Sequence, residues 1–208
     1  MDTDWHAWHG DYDQPDSALA RRLAVIRERI GEALDAAPPG PIRVISVCAG
    51  QGRDLLGALP GHPRRADVTA RLVELDPRNA AAARRTARET GLDQVEVRLG
   101  DAALTWYYAG IAPAHLVLMC GIFGNLSHAD LQRTIATCSQ LCATGGTLIW
   151  TRHRRAPDMF PRVCQWLEDR GFERQWLSEP GAGFGVGTHR FTGTPEPLDP
   201  DRRMFTFH

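Results

Sequence analysis

Residues 43–56 read Arg43-Val44-Ile45-Ser46-Val47-Cys48-Ala49-Gly50-Gln51-Gly52-Arg53-Asp54-Leu55-Leu56. A short apolar, β-branched run ends at Gly50, Gly52 follows, and Asp-Leu-Leu-Gly-Ala-Leu then has helical character. The run is too continuously apolar for a half-exposed strand, so it predicts one buried on both faces. Buried strand, glycine turn and helix in succession form the opening unit of a parallel α/β sheet. Upstream, Leu19, Leu23, Ile26, Ile30 and Leu34 recur three and four apart. That spacing predicts an amphipathic helix over 16–36, capped by Asp16 or Ser17 and broken at Pro38–Pro41. Downstream, 65–77 holds a second strand stopped by Pro77, and an Ala- and Arg-rich helix covers 78–90. Strands follow at 95–102, 114–124 and 147–153, with a helix over 128–143 ended by Gly145-Gly146. This alternation predicts a doubly wound, mostly parallel sheet with helices on both faces. A helix at 158–170 then leads to strands 172–179 and 186–193 across a Gly-rich link, a C-terminal antiparallel hairpin. The final Met-Phe-Thr-Phe-His reads as an edge strand that could pair between chains, so a homodimer is one option.

A chain of 208 residues fits one domain. Within it, 1–37 would form a lid segment and helix, 42–153 a cofactor-binding core, and 154–208 the closing helix and hairpin. A net charge of -1 argues against nucleic acid as partner. All 24 basic residues are Arg, read as the codon bias of a GC-rich, bacterial genome. Without Lys there is no lysine Schiff base and no P-loop lysine. Five Cys do not make a disulfide framework. Cys138 and Cys142, four apart, read as small apolar helix residues, and no metal site is expected. The acidic, polar start Met1–Gln14 is no secretory signal, and no apolar run reaches the ~20 residues of a membrane span. The expectation is a soluble, cytoplasmic protein.

In such a sheet, ligands bind at the carboxyl ends of the strands. Gly50 and Gly52 allow a tight turn and close approach of a ligand to backbone amides. Glu74 ends the second strand, 22 residues after Gly52, where a carboxylate can accept both ribose hydroxyls. Asp76 reads instead as the next helix's cap, with Pro77 in its first turn. Asp101 ends the third strand, where a carboxylate or neighbouring backbone can read an adenine amine. A nicotinamide fingerprint would need a third small residue where Leu55 stands.

Through VISVCAGQGRDLL, LVELDP, VRLGDA and HLVLMCGIFGNL, the chain resembles class I S-adenosylmethionine-dependent methyltransferases over roughly residues 43–153. The resemblance implies a seven-stranded sheet and S-adenosyl-L-methionine as cofactor. It implies that Ala49, Gly50 and Gly52 line the methionine part, and that Glu74 holds the ribose with Leu75 beside the adenine. Asp101 and Ala102 would meet the adenine, and Cys120 and Gly121 would lie near the sulfonium. Three departures stand out. His115 occupies a position that is often Asp. Ser46 and Cys48 fall where the first strand often carries an acid, for which Arg53 or Asp54 would substitute. Cys120-Gly121-Ile122-Phe123-Gly124-Asn125 replaces the Asp/Asn-Pro-Pro-aromatic signature of exocyclic amine methylation.

The sulfonium cofactor carries the hard step, and a general base helps only if the acceptor is a hydroxyl. His153, at the end of the fifth strand, and His9 are the candidate bases. His128 reads as a solvated first-turn residue behind a Ser127 cap, and His189 as structural or exposed. Trp5, Trp8, His9 and Tyr12 either pin the terminus or form a lid, with Tyr12 reaching the cofactor. Trp106-Tyr107-Tyr108 offers an aromatic wall, although Trp106 reads as packing. Arg84 and Arg85 read as a solvated face, whereas Arg152–Arg155 could grip an acidic substrate. The expected activity is methyl transfer to a small molecule, with oxygen as the first acceptor. Alternatives are an RNA or protein methyltransferase, or a non-catalytic S-adenosylmethionine-binding subunit.

Overall fold

Alternate residues of β1 (Ile42–Val47) face opposite helical layers in the computed structural model, which describes Gln14 and residues 17–207. Ile42 and Val44 join one apolar cluster with Ile26, Ile30 and Leu34 of α1 (Ala18–Asp35). Leu55 and Leu56 of α2 (Leu55–Ala58) and Ala80, Ala83 and Ala87 of α3 (Pro77–Glu89) complete that layer. Ile45 and Val47 join the other cluster, with Leu131 and Ile135 of α4 (His128–Leu141) and Val163 and Leu167 of α5 (Phe160–Glu168). The strand's period of two thus meets apolar surface on both sides, which is why its sequence does not alternate.

The remaining strands are β2 (Val68–Glu74), β3 (Val95–Leu99), β4 (Ala114–Met119), β5 (Cys142–Arg152), β6 (Phe172–Leu177) and β7 (Gly185–Phe191). They form one seven-stranded sheet in the order β3-β2-β1-β4-β5-β7-β6. The first five strands are parallel to one another, and β7 runs antiparallel to both β5 and β6. Ser17 caps α1 by accepting from the Ala20 amide at 2.9 Å, and Asp76 caps α3 by accepting from the Arg78 amide at 2.8 Å.

Three expectations are corrected. Gly145-Gly146 does not end the helix. Chain turns from α4 into β5 at Cys142, and the glycine pair lies inside that long strand, where the β4–β5 register shifts. Cys138 and Cys142 therefore sit on a helix and a strand rather than on one helical face, both buried. Residues 204–207 of the terminal MFTFH do not form an edge strand. A lone antiparallel bridge links Leu104 to Arg203, and Met204 and Phe205 are buried in the core, so no edge pairing between chains rests on this segment. His115 lies at the amino end of β4, where its Nδ1 accepts from the Arg43 amide at 2.9 Å. Its departure from Asp therefore does not reach the carboxyl ends of the strands.

Trp150 of β5 is fully buried against Phe160, with ring centroids 4.6 Å apart, and against Phe123 at 5.7 Å. Gly187 pairs with it in register, and a Cβ there would come within 2.5 Å of the indole. The ring thus crosses β7 where a side chain is missing. Among the described residues no helix is long and apolar enough to cross a membrane.

Candidate functional site

Strand order reverses between β1 and β4, which are neighbours although the chain visits β2 and β3 between them. The carboxyl ends of the strands at such a switch point are the place where open α/β sheets take ligands. β1 leaves the sheet through Cys48, Gly50 and Gly52, all left-handed, at φ of 50°, 57° and 67°. The Ala49 amide donates to the Val73 carbonyl at 3.0 Å, and the Gly52 amide donates back to the Ala49 carbonyl at 2.8 Å. A Cβ on Gly52 would sit 2.8 Å from Leu56 Cδ1 and 2.9 Å from Leu72 Cδ2. Gly52→Ala should therefore cost about 2 kcal/mol, from left-handed strain plus overpacking, read as a shift of the denaturation midpoint.

Glu74 reaches over this turn. It is 8% exposed; its Oε2 accepts from the Gly50 amide at 2.7 Å and its Oε1 from the Asp76 amide at 2.9 Å. Each oxygen keeps further accepting capacity. Leu75 beside it is 66% exposed, and Leu99 at the end of β3 is also exposed, so an apolar rim flanks the carboxylate. Asp101 follows, its Oδ1 accepting from the Ala103 amide at 3.0 Å and its Oδ2 paired with Arg203 Nη1 at 2.8 Å. Buried Tyr108 donates its hydroxyl to the Ala102 carbonyl at 2.7 Å. Burial, then Cys48 and Asp101, pushes that phenol far up, so it is no base.

Asp54 caps α2 through Oδ1 and the Leu55 amide at 2.7 Å and is itself buried. Burial raises its pKa even though Arg27 and Arg22 oppose the shift. Arg27 of α1 also donates Nε and Nη2 to the Arg53 carbonyl at 2.9 and 2.7 Å, clamping the far end of the turn. Two half-buried thiols face these acids. Burial, Glu74 and Asp101 push the Cys48 thiol up, while burial and Asp54 push Cys120 up, so both stay protonated. Neither is the thiolate that nucleophilic or metal chemistry requires. Among the described residues no group of three or more His, Cys, Asp or Glu could hold a metal ion.

After β4 the Gly121 amide donates to Thr151 Oγ1 at 2.7 Å and Asn125 Nδ2 donates to the Gly121 carbonyl at 2.8 Å. His153 lies just past β5, exposed, with its ring edge facing Gly124. Its Nδ1 accepts from the Arg155 amide at 3.3 Å, which leaves Nε2 as the protonated nitrogen of the neutral ring. His128 opens α4 behind the Ser127 cap and is exposed. His189 is fully buried under Trp150.

Ala49, Gly50, Gly52, Glu74, Leu75, Asp101, Ala102, Cys120 and Gly121 thus gather on the carboxyl side of β1 to β4. His9, Tyr12 and the two tryptophans beside them lie outside the described residues. The Arg152–Arg155 run does not act as one patch. Arg152 is buried and donates to the Phe123 carbonyl, and Arg154 lies over the Phe160 ring, 3.4 Å from Asp158. Trp106 is not packed away: it is 47% exposed and stacks on Tyr107 at 3.9 Å, while Tyr108 is the buried member. Sequence reasoning gave no role to Arg27, Thr151 or Arg203. They are ordinary residues in local pattern, and only the fold brings them to the turn, the β4 loop and Asp101.

The family model described as "Putative methyltransferase" matches residues 20–164. No curated protein matches the chain. An O-methyltransferase family protein from Burkholderia thailandensis superposes with a TM-score of 0.66 at 18% identity, over 85% of this chain and 57% of that one. The chain therefore spans less than two thirds of that relative. Magnesium protoporphyrin IX methyltransferase from Synechocystis PCC 6803, solved with bound S-adenosylmethionine, gives 0.67 at 12% identity over 91% of both chains. The 1,6-didemethyltoxoflavin-N1-methyltransferase from Burkholderia thailandensis gives 0.64 at 17% identity, over 90% of this chain and 84% of that one. With the family model matching 20–164 of this chain's 208 residues and the sheet in the order of the class I fold, this chain belongs to that family of S-adenosylmethionine-dependent methyltransferases.

Proposed function

We propose that the protein transfers the methyl group of S-adenosylmethionine to a small-molecule acceptor, with oxygen as the accepting atom. The observation that carries the cofactor site is Glu74, a buried carboxylate bridging the Gly50 and Asp76 amides at the switch point. Its acceptor chemistry fits the group. Remaining lone pairs on Glu74 suit a ribose diol, exposed Leu75 and Leu99 suit the flat adenine, and Asp101 suits its amine. Ala49, Gly50, Gly52 and Asp54 would hold the methionine end, and Ala102, Cys120 and Gly121 would line the adenine and sulfonium sides.

S-Adenosylmethionine supplies a methyl already activated by positive sulfur. The chain's own part is to align the acceptor and exclude water. Glu74 places a carboxylate at the switch point, which favours a cation there. Keeping Cys48 and Cys120 protonated denies that cation a competing thiolate in the protein. The exposed apolar Leu75, Leu99 and Trp106 and a net charge of -1 support a small acceptor over nucleic acid. The five free thiols suit a reducing, cytoplasmic setting.

We take His153 as the base, its Nδ1 receiving the acceptor proton once the contact with the Arg155 amide yields. His153→Ala should lower kcat about 100-fold with the Kd for S-adenosylmethionine unchanged. An unchanged kcat would remove His153 as the base. The reading as a whole is tested by calorimetric titration with S-adenosylmethionine and, in parallel, NAD. Micromolar binding of the former (about -8 kcal/mol) and none of the latter supports it; NAD binding alone would overturn it.

A further inference from the structure

The chain after β7 has almost no regular structure, yet it is tied down along its length. The Glu196 amide donates to the Ser139 carbonyl at 3.1 Å, and the Asp199 amide to Gln140 Oε1 at 3.0 Å. Thr105 Oγ1 donates to the Asp199 carbonyl at 2.6 Å, its amide donates to the Arg202 carbonyl at 3.0 Å, and the Met204 amide donates to the Ala103 carbonyl at 2.8 Å. Met204 and Phe205 are buried, so the backbone between Arg202 and Phe205 has little freedom. The strap lies antiparallel to the loop after β3 and delivers Arg203 to Asp101 at 2.8 Å.

The loop itself fixes just one oxygen of Asp101, through the Ala103 amide. With Arg203 on the other, the carboxylate plane is set and each oxygen keeps a free accepting direction. We propose that Arg203 is a specificity-determining positioning residue: by clamping Asp101 from the C-terminal strap, it makes the site select a 6-amino purine over a 6-oxo purine in the cofactor. This rests on the cofactor reading above, in which Asp101 meets the adenine amine. A 6-amino group donates to a fixed carboxylate, whereas a 6-oxo group presents an acceptor to it and is repelled. A carboxylate free to rotate would discriminate less.

The test measures Kd for S-adenosylhomocysteine and its inosine counterpart, S-inosylhomocysteine, in the full chain and in Asp101→Asn, Arg203→Gln and Arg203→Lys. Asp101→Asn should erase or invert the preference for the adenine form. Arg203→Gln should reduce it about tenfold, mostly by weakening the adenine form, and Arg203→Lys should recover part of it. Arg203 is half-exposed, so these variants should fold. If Arg203→Gln weakens both ligands equally, or keeps the full ratio while Asp101→Asn loses it, the role of Arg203 is overturned and the cofactor reading stands. If Asp101→Asn also keeps the ratio, the placement of the adenine itself fails.

Discussion

Replacing Glu74 with alanine is expected to raise the Kd for S-adenosylmethionine about 100-fold, close to 3 kcal/mol. The size follows from burial. The carboxylate is 8% exposed, and both its oxygens already accept from backbone amides of the glycine turn and the α3 entry. A ribose diol docking here donates to an anion largely shielded from water, and charge-assisted bonds of that kind are about twice as strong as neutral ones. Alanine removes those acceptors and also strands the Gly50 and Asp76 N–H groups, so the turn loses its brace. Stability should fall as well, by about 1–2 kcal/mol for the two amides. Glu74→Gln separates the two effects. Its oxygen can still brace one amide, but its NH2 confronts the other and its charge is gone, so affinity should fall further than stability. Calorimetry on folded Glu74→Ala with an unchanged Kd would overturn the ribose assignment.

The fold was legible because burial on both faces leaves a strand no reason to alternate, and β1 and β4 follow that rule, whereas β2 alternates through exposed Thr69 and half-buried Arg71 before its apolar end. The glycine turn was legible because a left-handed backbone leaves few residue choices. Cys48 shows the limit of that reading: it takes a φ of 50° without being glycine. The positive φ turns its side chain to the Val47 side, towards Asp101 and Glu74, instead of continuing the alternation. The chain reversal at Cys142 was hidden because a double glycine resembles a helix stop, while the end of α4 carries no glycine at all. The C-terminal strap was hidden for a different reason. Its bonds to Thr105, Ser139 and Gln140 join residues far apart in sequence, and its final apolar residues read equally well as a strand or as plugs in a core. Asp54 lies between these cases. Its sequence position suggested a substitute for the missing acid of β1, and the structure buries it beside Cys120 and Arg27 at the start of α2.

Acid should unfold this protein partly through one side chain outside the candidate site, His189. The ring is fully buried, and Trp150 Nε1 donates to its Nδ1 at 3.1 Å. Nε2 then carries the proton of the neutral ring, and it has no partner among the described residues. A second proton would have to enter at Nδ1, facing the indole N–H, in a site already poor in water. Burial first, and Arg174 second, holds the pKa down to about 4 against an ordinary value of 6.5. The unfolded chain takes up this proton as pH falls below 6.5, whereas the folded chain does not until about 4. The neutral ring's contribution is therefore complete above pH 6.5 and is lost progressively down to about 4, roughly 3 kcal/mol in all. His115, lowered by burial, Arg43 and Arg64, adds to the same slope. His189→Gln keeps an acceptor for Trp150 and removes the titration. Urea denaturation from pH 7 to 4.5 should show the wild type losing stability more steeply than the variant, and parallel profiles would sink the assignment. The consequence reaches the site, because Trp150 carries Phe123 of the β4 loop on its other side, next to Gly121 and His153. In mild acid, loosening of the β5–β7 core should therefore disturb the loop around Gly121 and His153 before the glycine turn, which β1 and β2 hold through Glu74.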